Sequence, residues 1–327
     1  MKIALGVISP SAAWVIPRAY VDALRRDFPH HTFLEAWDRE TLRRVLVESD
    51  AAFAAFLDHD LVPSLTRLQW VQAPAAGVAH LLSAELAASA IVLTSARGVR
   101  ARAIAEHVML MALALARQLP LVMRRQSERV WALDEIETAG TIRTLSGRQM
   151  GIVGLGSIGS EVARLAAGFG MRVVATRKNA DRPRPEGVAE VLLPERLPDL
   201  MAASDVIVLS AALTAETRTL LNRDVLARVK QGAWLINIGR GQLVDDAALM
   251  DALRDGRLGG AALDVFRREP LPAESPYWDL PNVIVTPHLS GAMEDYWTPL
   301  VGLFAENLRR FEKGQPLINV VDKVAGY

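Results

Sequence analysis

Three side chains stand just past the ends of strand-like runs, where chemistry can be mounted. Arg240 lies in I-N-I-G-R-G between Gly239 and Gly241, Glu269 in L-D-V-F-R-R-E-P, and His288 in T-P-H-L-S-G. In an open α/β sheet the C-terminal strand edge is where ligands bind, so the three could meet in one cleft. An arginine offers two N–H groups in a planar fork to a carboxylate or carbonyl oxygen. A histidine can protonate an oxygen as hydride arrives at the adjoining carbon. A carboxylate beside it orients the ring and favours imidazolium. Together they would make a carbonyl-reducing site for an anionic substrate. Spacing alone leaves plainer readings open. His288 after Thr286-Pro287 can be a strand cap, and Glu269 before Pro270 a solvated turn residue. Arg240 resists that reading, because a structural turn between two glycines has no need of a guanidinium.

A hydride donor needs its own site, and Met150–Gly159, M-G-I-V-G-L-G-S-I-G, provides the pattern for one. Gly154, Gly156 and Gly159 form G-x-G-x-x-G between a short apolar run and a helical pattern from Glu161 to Phe169. The first glycine makes the tight turn, the second lets a pyrophosphate approach the backbone, and the third lets helix and strand pack closely. Phosphates would then rest on free N–H groups at the helix N-terminus.

The elements that position these residues alternate along the chain. Strands are expected at 3–8, 51–56, 70–73, 91–94, 150–153, 172–175, 206–210, 233–238, 261–265 and 283–286. Helical patterns lie between most of them, among them 14–26, 42–48, 245–255 and 296–313. Such alternation predicts parallel sheets with helices on both faces. The runs after Met150 make a dinucleotide-binding unit, and those before Thr94 a smaller α/β unit without a glycine fingerprint. Between them, the stretch 100–123 is apolar on more than one side and is expected to be buried at the domain junction and in a subunit interface. Pro120 should break or kink it. The most polar loop is 177–187, with Pro183 and Pro185.

Composition narrows the class. The 327 residues suffice for about two domains at ~150 residues each, and 51% hydrophobic with 23% charged residues describes a globular protein with sizeable cores. Lys plus Arg equals Asp plus Glu at 37 each, so no global basic field attracts nucleic acid. The absence of cysteine excludes disulfides, thiolate metal sites and cysteine nucleophiles. No metal site is expected. Met1–Ile8 is apolar but runs into Ser9-Pro10-Ser11, which reads as a first strand rather than a signal peptide. The apolar stretch 108–116 is too short to span a bilayer. A cytoplasmic protein with no membrane partner is the default expectation.

With these residues in view, the chain resembles the D-isomer-specific 2-hydroxyacid dehydrogenase family over essentially its whole length. The similarity is carried by Ala73–Val78 (A-P-A-A-G-V), Ile104–His107 (I-A-E-H), Gly151–Gly159, Leu235–Val244, Leu263–Pro272, Val285–Gly291 and Glu306–Val321. The resemblance implies two Rossmann-like doubly wound domains, the substrate domain (1–97 plus 291–327) split around an inserted NAD(P)-binding domain (98–290). It implies Arg240 as the group binding the substrate's carboxylate and carbonyl oxygen, His288 as acid/base and Glu269 as its partner. The substrate loop would be Ala76, Gly77 and Val78. The cofactor set would be Gly154, Gly156, Ser157, Ile158, Gly159, Thr176, Arg177, Lys178, Ile238 and Asp264, with Asp264 at the nicotinamide carboxamide. A homodimer built on the long helix and the arm near Trp131 is usual in the family.

The chain also departs from its relatives. Many have an aspartate at the end of the second cofactor-domain strand, which accepts hydrogen bonds from the ribose hydroxyls; here that position is Arg177. Thr176 adds a hydroxyl, and Lys178, Arg182 and Arg184 add cations, which points to NADP in preference to NAD. A basic surface loop is the plainer alternative. Ala212 stands where a proline is common near the adenine pocket, and Arg97 reads more simply as a surface cation than as a substrate ligand. Glutamate rather than glutamine as the histidine's partner argues against a formate dehydrogenase. The lack of lysine between Leu68 and Leu82 argues against a phosphite dehydrogenase. A cofactor-sensing scaffold resembling the C-terminal-binding co-repressors would need an extended tail, and the chain ends soon after Val321. The expected activity is therefore reduction of a small 2-oxo acid, glyoxylate or hydroxypyruvate first, to the D-2-hydroxy acid. A D-3-phosphoglycerate dehydrogenase-like enzyme is the alternative within the family.

Overall fold

A computed structural model describes residues 1–9, 14–179, 182–324 and 326. The turn read at Pro10-Ser11 lies outside the described residues, as do residues 180 and 181 of the polar loop. The chain divides into two compact units, Met1–Val99 with Met293–Tyr327, and Arg100–Ala292.

The first unit begins β1 (Lys2–Gly6), α1 (Arg18–Asp27), β2 (Thr32–Glu35), α2 (Arg39–Glu48), β3 (Ala51–Ala54), β4 (Trp70–Gln72), α3 (Ala84–Ala88) and β5 (Val92–Thr94). Its five strands are all parallel, in the order β2-β1-β3-β4-β5. The second unit follows with α4 (Ala101–Ala116), α5 (Leu119–Ser127), α6 (Leu133–Thr138), β6 (Gln149–Val153), α7 (Ser157–Gly168), β7 (Arg172–Thr176) and β8 (Glu190–Leu192). It continues with α8 (Leu197–Ala203), β9 (Val206–Leu209), α9 (Arg223–Ala227), β10 (Ala233–Asn237), α10 (Asp246–Arg254), β11 (Leu258–Leu263) and β12 (Val283–Val285). Here seven parallel strands run β12-β11-β10-β9-β6-β7-β8. The chain then returns to the first unit through α11 (Trp297–Glu312).

Both sheets are covered on both faces, so their central strands read as continuous apolar runs rather than alternating ones. β9, V-I-V-L, is wholly buried. Val206 and Val208 join one core with Val108 of α4 and Val162 of α7. Ile207 and Leu209 join the other, with Leu200, Leu226 and Leu249 of α8, α9 and α10. That split follows from side chains pointing alternately to the two faces of a strand.

The apolar stretch over 100–123, expected to break or kink at Pro120, forms two helices with the break just before that proline. α4 ends at Ala116, Gln118 takes a left-handed φ of 55°, and α5 starts with Pro120 in its first turn. A proline there forfeits an N–H that has no helical partner anyway. The pair bends by 69°, and among the described residues no single helix is long and apolar enough to cross a membrane.

α11 closes the first unit. Phe304 stacks on Phe53 at 4.7 Å and on Trp70 at 5.4 Å between ring centres. Beside it Asn307, fully buried, ties three pieces of chain together. Its Nδ2 donates to Gln72 Oε1 (3.0 Å) and Ile318 O (3.1 Å), and its Oδ1 accepts from Ile318 N (2.7 Å). Leucine at this position would leave the partly buried N–H and C=O of Ile318 without these partners, each at about 1–3 kcal/mol, while Gln72 Oε1 keeps the bond from Thr94 Oγ1. Asn307→Leu is therefore expected to lower unfolding stability by roughly 2–4 kcal/mol. Denaturant melts would show it, and an unchanged midpoint would contradict the role given to this network.

Candidate active site

The glycine loop opens where the second sheet changes direction. β6 has β9 on one side and β7 on the other, and ligands bind in the crevice beyond the strand ends at such a switch point. Gly154 has φ +100°, and a Cβ there would lie 2.6 Å from Ala211 N. A Cβ on Gly159 would strike the Gly154 carbonyl. Gly156 differs: nothing lies within 4 Å of where its Cβ would be, so the space above it is open. No side chain caps the N-terminus of α7, which leaves its first N–H groups and the positive end of its dipole for an anion. Ser157 and Ile158 form that first turn. The loop is held from below, where Gly154 N and Leu155 N donate to Thr176 O at 3.2 and 3.0 Å. Thr176 itself is buried.

The other half of the site grows from three neighbouring strand ends. Asn237 of β10 pairs with Leu263 of β11, and Leu263 with Val285 of β12. Arg240, Glu269 and His288 follow these ends on one sheet edge. The Asn237 side chain fastens the first turn, accepting from Gly239 N (3.1 Å) and donating to Arg240 O (3.2 Å). Gly241 lies so close to the Phe266–Arg267 backbone that any Cβ would collide with it. That contact places the Arg240 turn against the turn bearing Glu269. Ile238 is buried beneath.

Glu269 uses both carboxylate oxygens. Oε1 accepts from Phe266 N at 2.9 Å, and Oε2 meets His288 Nδ1 at 2.8 Å. With Nδ1 engaged, Nε2 is the ring nitrogen left for a substrate oxygen. His288 has φ +52°, a left-handed conformation uncommon for a residue with a side chain. Asp264 sustains it. Its carbonyl accepts from His288 N (2.9 Å), its Oδ1 from Thr286 Oγ1 (2.6 Å) and Leu289 N (2.9 Å), and its Oδ2 from Ser290 N (3.0 Å). Asp264 is 1% exposed. Its carboxylate thus holds the histidine's turn in addition to the nicotinamide contact that the resemblance implies.

Arg240 is exposed, and its Nη1 donates to Gly239 O at 2.7 Å. Among the described residues it pairs with no carboxylate, which leaves a cation available to an anionic substrate. His107 of α4 was quoted in the sequence only as part of I-A-E-H, without a role. Its Nε2 lies 3.4 Å from Thr286 Oγ1, one link from Asp264. Burial pushes its imidazole below the ordinary value, against the opposing pull of Asp264. Nothing in the spacing of α4 could have disclosed that contact, because it joins residues 179 positions apart.

At the end of β7, Arg177 donates to Pro183 O at 3.2 Å and to Arg182 O, while its buried Nε has no hydrogen-bond partner. Lys178 pairs with Glu216 at 2.8 Å, and Arg184 donates to Ala189 O at 2.8 Å. Among the described residues Arg177, Arg182 and Arg184 have no carboxylate partner. The loop therefore keeps net positive charge and an orphaned donor. Open space over Gly156 and an uncapped helix N-terminus fit the phosphates of a dinucleotide.

The substrate loop of the sequence reading belongs to the first unit. Ala76 and Gly77 are exposed past the end of β4, whereas Val78 is 2% exposed, its side chain in the core with Leu81 and Leu86. What Val78 offers a ligand is backbone alone. Arg97 is exposed, and its carbonyl accepts from Asn319 Nδ2 at 2.7 Å.

With this geometry in hand, comparison with known proteins is specific. The family model of the D-isomer specific 2-hydroxyacid dehydrogenase NAD binding domain matches residues 109–290. A glyoxylate reductase of Korarchaeum cryptofilum is 32% identical over 304 residues, 90% of each chain. The crystal structure of a D-isomer specific 2-hydroxyacid dehydrogenase from Xanthobacter autotrophicus in complex with NADPH and MES superposes with a TM-score of 0.84. It is 31% identical, and the match covers 100% of this chain and 99% of that one. An NADPH-dependent glyoxylate/hydroxypyruvate reductase from Sinorhizobium meliloti in complex with NADP and sulfate gives 0.81 at 29% identity, with 100% and 99% covered.

Proposed function

Since the chain belongs to the D-isomer-specific 2-hydroxyacid dehydrogenase family, whose members are NAD(P)-dependent oxidoreductases, we propose that it reduces a small 2-oxo acid to the D-2-hydroxy acid with NADPH as preferred donor. The observation that carries this reading is the Glu269–His288 pair on the same sheet edge as an Arg240 that no carboxylate among the described residues neutralises. The relatives named for glyoxylate and hydroxypyruvate reduction support the substrate class.

When bound, the nicotinamide supplies the hydride. The Gly154–Gly159 loop and the N-terminus of α7 would hold its phosphates, and Arg177 with the loop after β7 the 2′-phosphate. Arg240 holds the substrate carboxylate and the carbonyl oxygen in its planar fork, which turns the reacting carbon to one face. His288, its Nδ1 on Glu269, presents Nε2 to the carbonyl oxygen and delivers the proton that the forming alkoxide needs. Glu269 balances the imidazolium before transfer and fixes the ring afterwards. Ala76 and Gly77, exposed in the first unit, are the residues that the family resemblance assigns to the substrate loop. A second copy of the chain would cover the apolar residues of α5, α6 and the link between them, where Met123, Trp131 and Leu133 are 54, 91 and 50% exposed; equilibrium sedimentation tests that dimer.

Cofactor choice gives a quantitative test. A charge-assisted hydrogen bond contributes ~1.5–3 kcal/mol net. One Arg177–phosphate contact should then favour NADPH over NADH by roughly one to two orders of magnitude in affinity. Steady-state kinetics on glyoxylate and hydroxypyruvate with each cofactor are expected to show turnover and a lower KM for NADPH. Arg177→Asp should erase or invert the preference while largely sparing kcat at saturating cofactor. Equal KM values, or a preference for NADH in the unaltered protein, would remove Arg177 from the phosphate site.

A further inference from the structure

A second constellation of chemistry-bearing side chains lies in the first unit, unused by the site above. His30 and His31 fill the turn between α1 and β2, and Glu312 is the last residue of α11. His30 Nε2 lies 2.5 Å and His31 Nε2 2.9 Å from the same oxygen, Glu312 Oε1. The three donor atoms lie within 4.8 Å of one another. The His31 side chain is 3% exposed, its ring stacked on Phe28 at 6.1 Å. Its Nε2 faces the carboxylate without meeting it along a hydrogen-bond direction, and it is a buried nitrogen with no hydrogen-bond partner. A buried imidazole nitrogen left in that condition carries a cost that a ligand would relieve.

We infer that His30, His31 and Glu312 form a binding site for one divalent transition-metal ion of the zinc class. Two imidazoles and a carboxylate suit zinc, cobalt, nickel or copper better than magnesium or calcium, which take all-oxygen shells. Bonds of ~2.0–2.2 Å in a tetrahedral arrangement separate ligand atoms by roughly 3.3 Å. The present 2.5 and 2.9 Å contacts are shorter, so on binding the carboxylate backs away by up to about an ångström. Glu312 can do this, since it is a long side chain at a helix end and 24% exposed. His30, 60% exposed, leaves the fourth position to water. The C-terminal end of α11 adds the negative pole of its dipole. Of the nearby cations, the Met1 ammonium lies 3.4 Å from His31 Nδ1, on the side of the ring away from the proposed ion, while Arg310 is paired with Glu306 at 2.8 Å, and Arg309 lies 3.8 Å from Glu306 and over the Phe28 ring. The bound ion would clamp the turn after α1 to the end of α11.

Zinc titration of the untagged, metal-stripped full chain tests this by calorimetry, with cobalt absorption as a second reading. The expected result is one ion per chain, tetrahedral cobalt bands, and a melting temperature that rises with zinc concentration as native-state binding requires. His30→Ala and Glu312→Gln alter partly exposed groups and should fold normally. Each is expected to weaken binding at least about tenfold and remove most of the thermal shift. Reduction of 2-oxo acids by the metal-stripped variants should match that of the metal-stripped parent, which separates this site from the catalytic one. No stoichiometric zinc binding by the parent, or unchanged affinity in both variants, would overturn the assignment.

Discussion

His288→Ala is expected to lower kcat for 2-oxo acid reduction by about two to four orders of magnitude, the range that general acid catalysis contributes. The geometry isolates this effect. His288 Nδ1 is engaged by Glu269 at 2.8 Å, so Nε2 alone can serve the substrate. The side chain is half exposed, so its removal leaves no cavity in the core. The turn itself is held through backbone groups, with His288 N on Asp264 O and Leu289 N and Ser290 N on the Asp264 carboxylate. The variant should therefore fold and bind NADPH as the parent does, because the phosphates would lie on the glycine loop of another strand. Rapid kinetics with fluorescence titration of the cofactor would read both quantities. Near-parental kcat would remove His288 from proton transfer, and lost cofactor affinity would mean that it serves a different part of the site.

A loss in kcat/KM of roughly one to two orders of magnitude is expected for Arg240→Lys, with cofactor affinity little changed. Lysine keeps the charge and loses the fork. Only a role that depends on two parallel N–H groups predicts a large penalty for so conservative a change. The local backbone should tolerate it. The turn is fixed by Asn237 and by the close approach of Gly241 to Phe266, whereas the guanidinium contributes one hydrogen bond to Gly239 O. Activity retained on 2-oxo acids together with a raised KM for NADPH would contradict the substrate role and place Arg240 at the cofactor.

Much of this was legible in the chain because the parallel strands are short, apolar and punctuated. V-I-V-L at 206–209 and A-W-L-I-N at 233–237 announce buried strands, and Arg240, proposed to hold the substrate, follows the second of them. What escaped has identifiable causes. β2 and β8 are edge strands of four and three residues, T-F-L-E and E-V-L, too short for a period and only partly buried. β11 begins at Leu258 rather than 261, because Gly259 and Gly260 carry no apolar signal. Both are needed bare, since a Cβ would lie 2.8 Å from Gly232 O or Asn282 O. α2 starts three residues earlier than its apolar face does, at Arg39, because the Asp38 side chain accepts from Thr41 N and caps it.

Within the site, residue types and strand-end positions were readable, and contacts were not. Nothing in the order of residues tells that Asp264 holds the His288 turn with both oxygens, or that His107 stands behind Thr286. Nor does it tell that Arg177 spends part of its guanidinium on the carbonyls of its own loop. Such pairings depend on where separate strands end in space. The roles proposed for Arg240, Glu269 and His288 come from the family motifs, since spacing alone left them open.

The central claim is that hydride passes directly from the nicotinamide to the 2-oxo carbon of a substrate held by Arg240 and protonated by His288. Its most direct test is reduction of hydroxypyruvate with NADPH deuterated at the transferring position of the nicotinamide, followed by isotopic and chiral analysis of the product. The account predicts glycerate of D configuration with deuterium on the carbon bearing the new hydroxyl, at a rate that collapses in His288→Ala and Arg240→Lys. Product of L configuration, product without the label, or no reduction of any 2-oxo acid by either cofactor would contradict it.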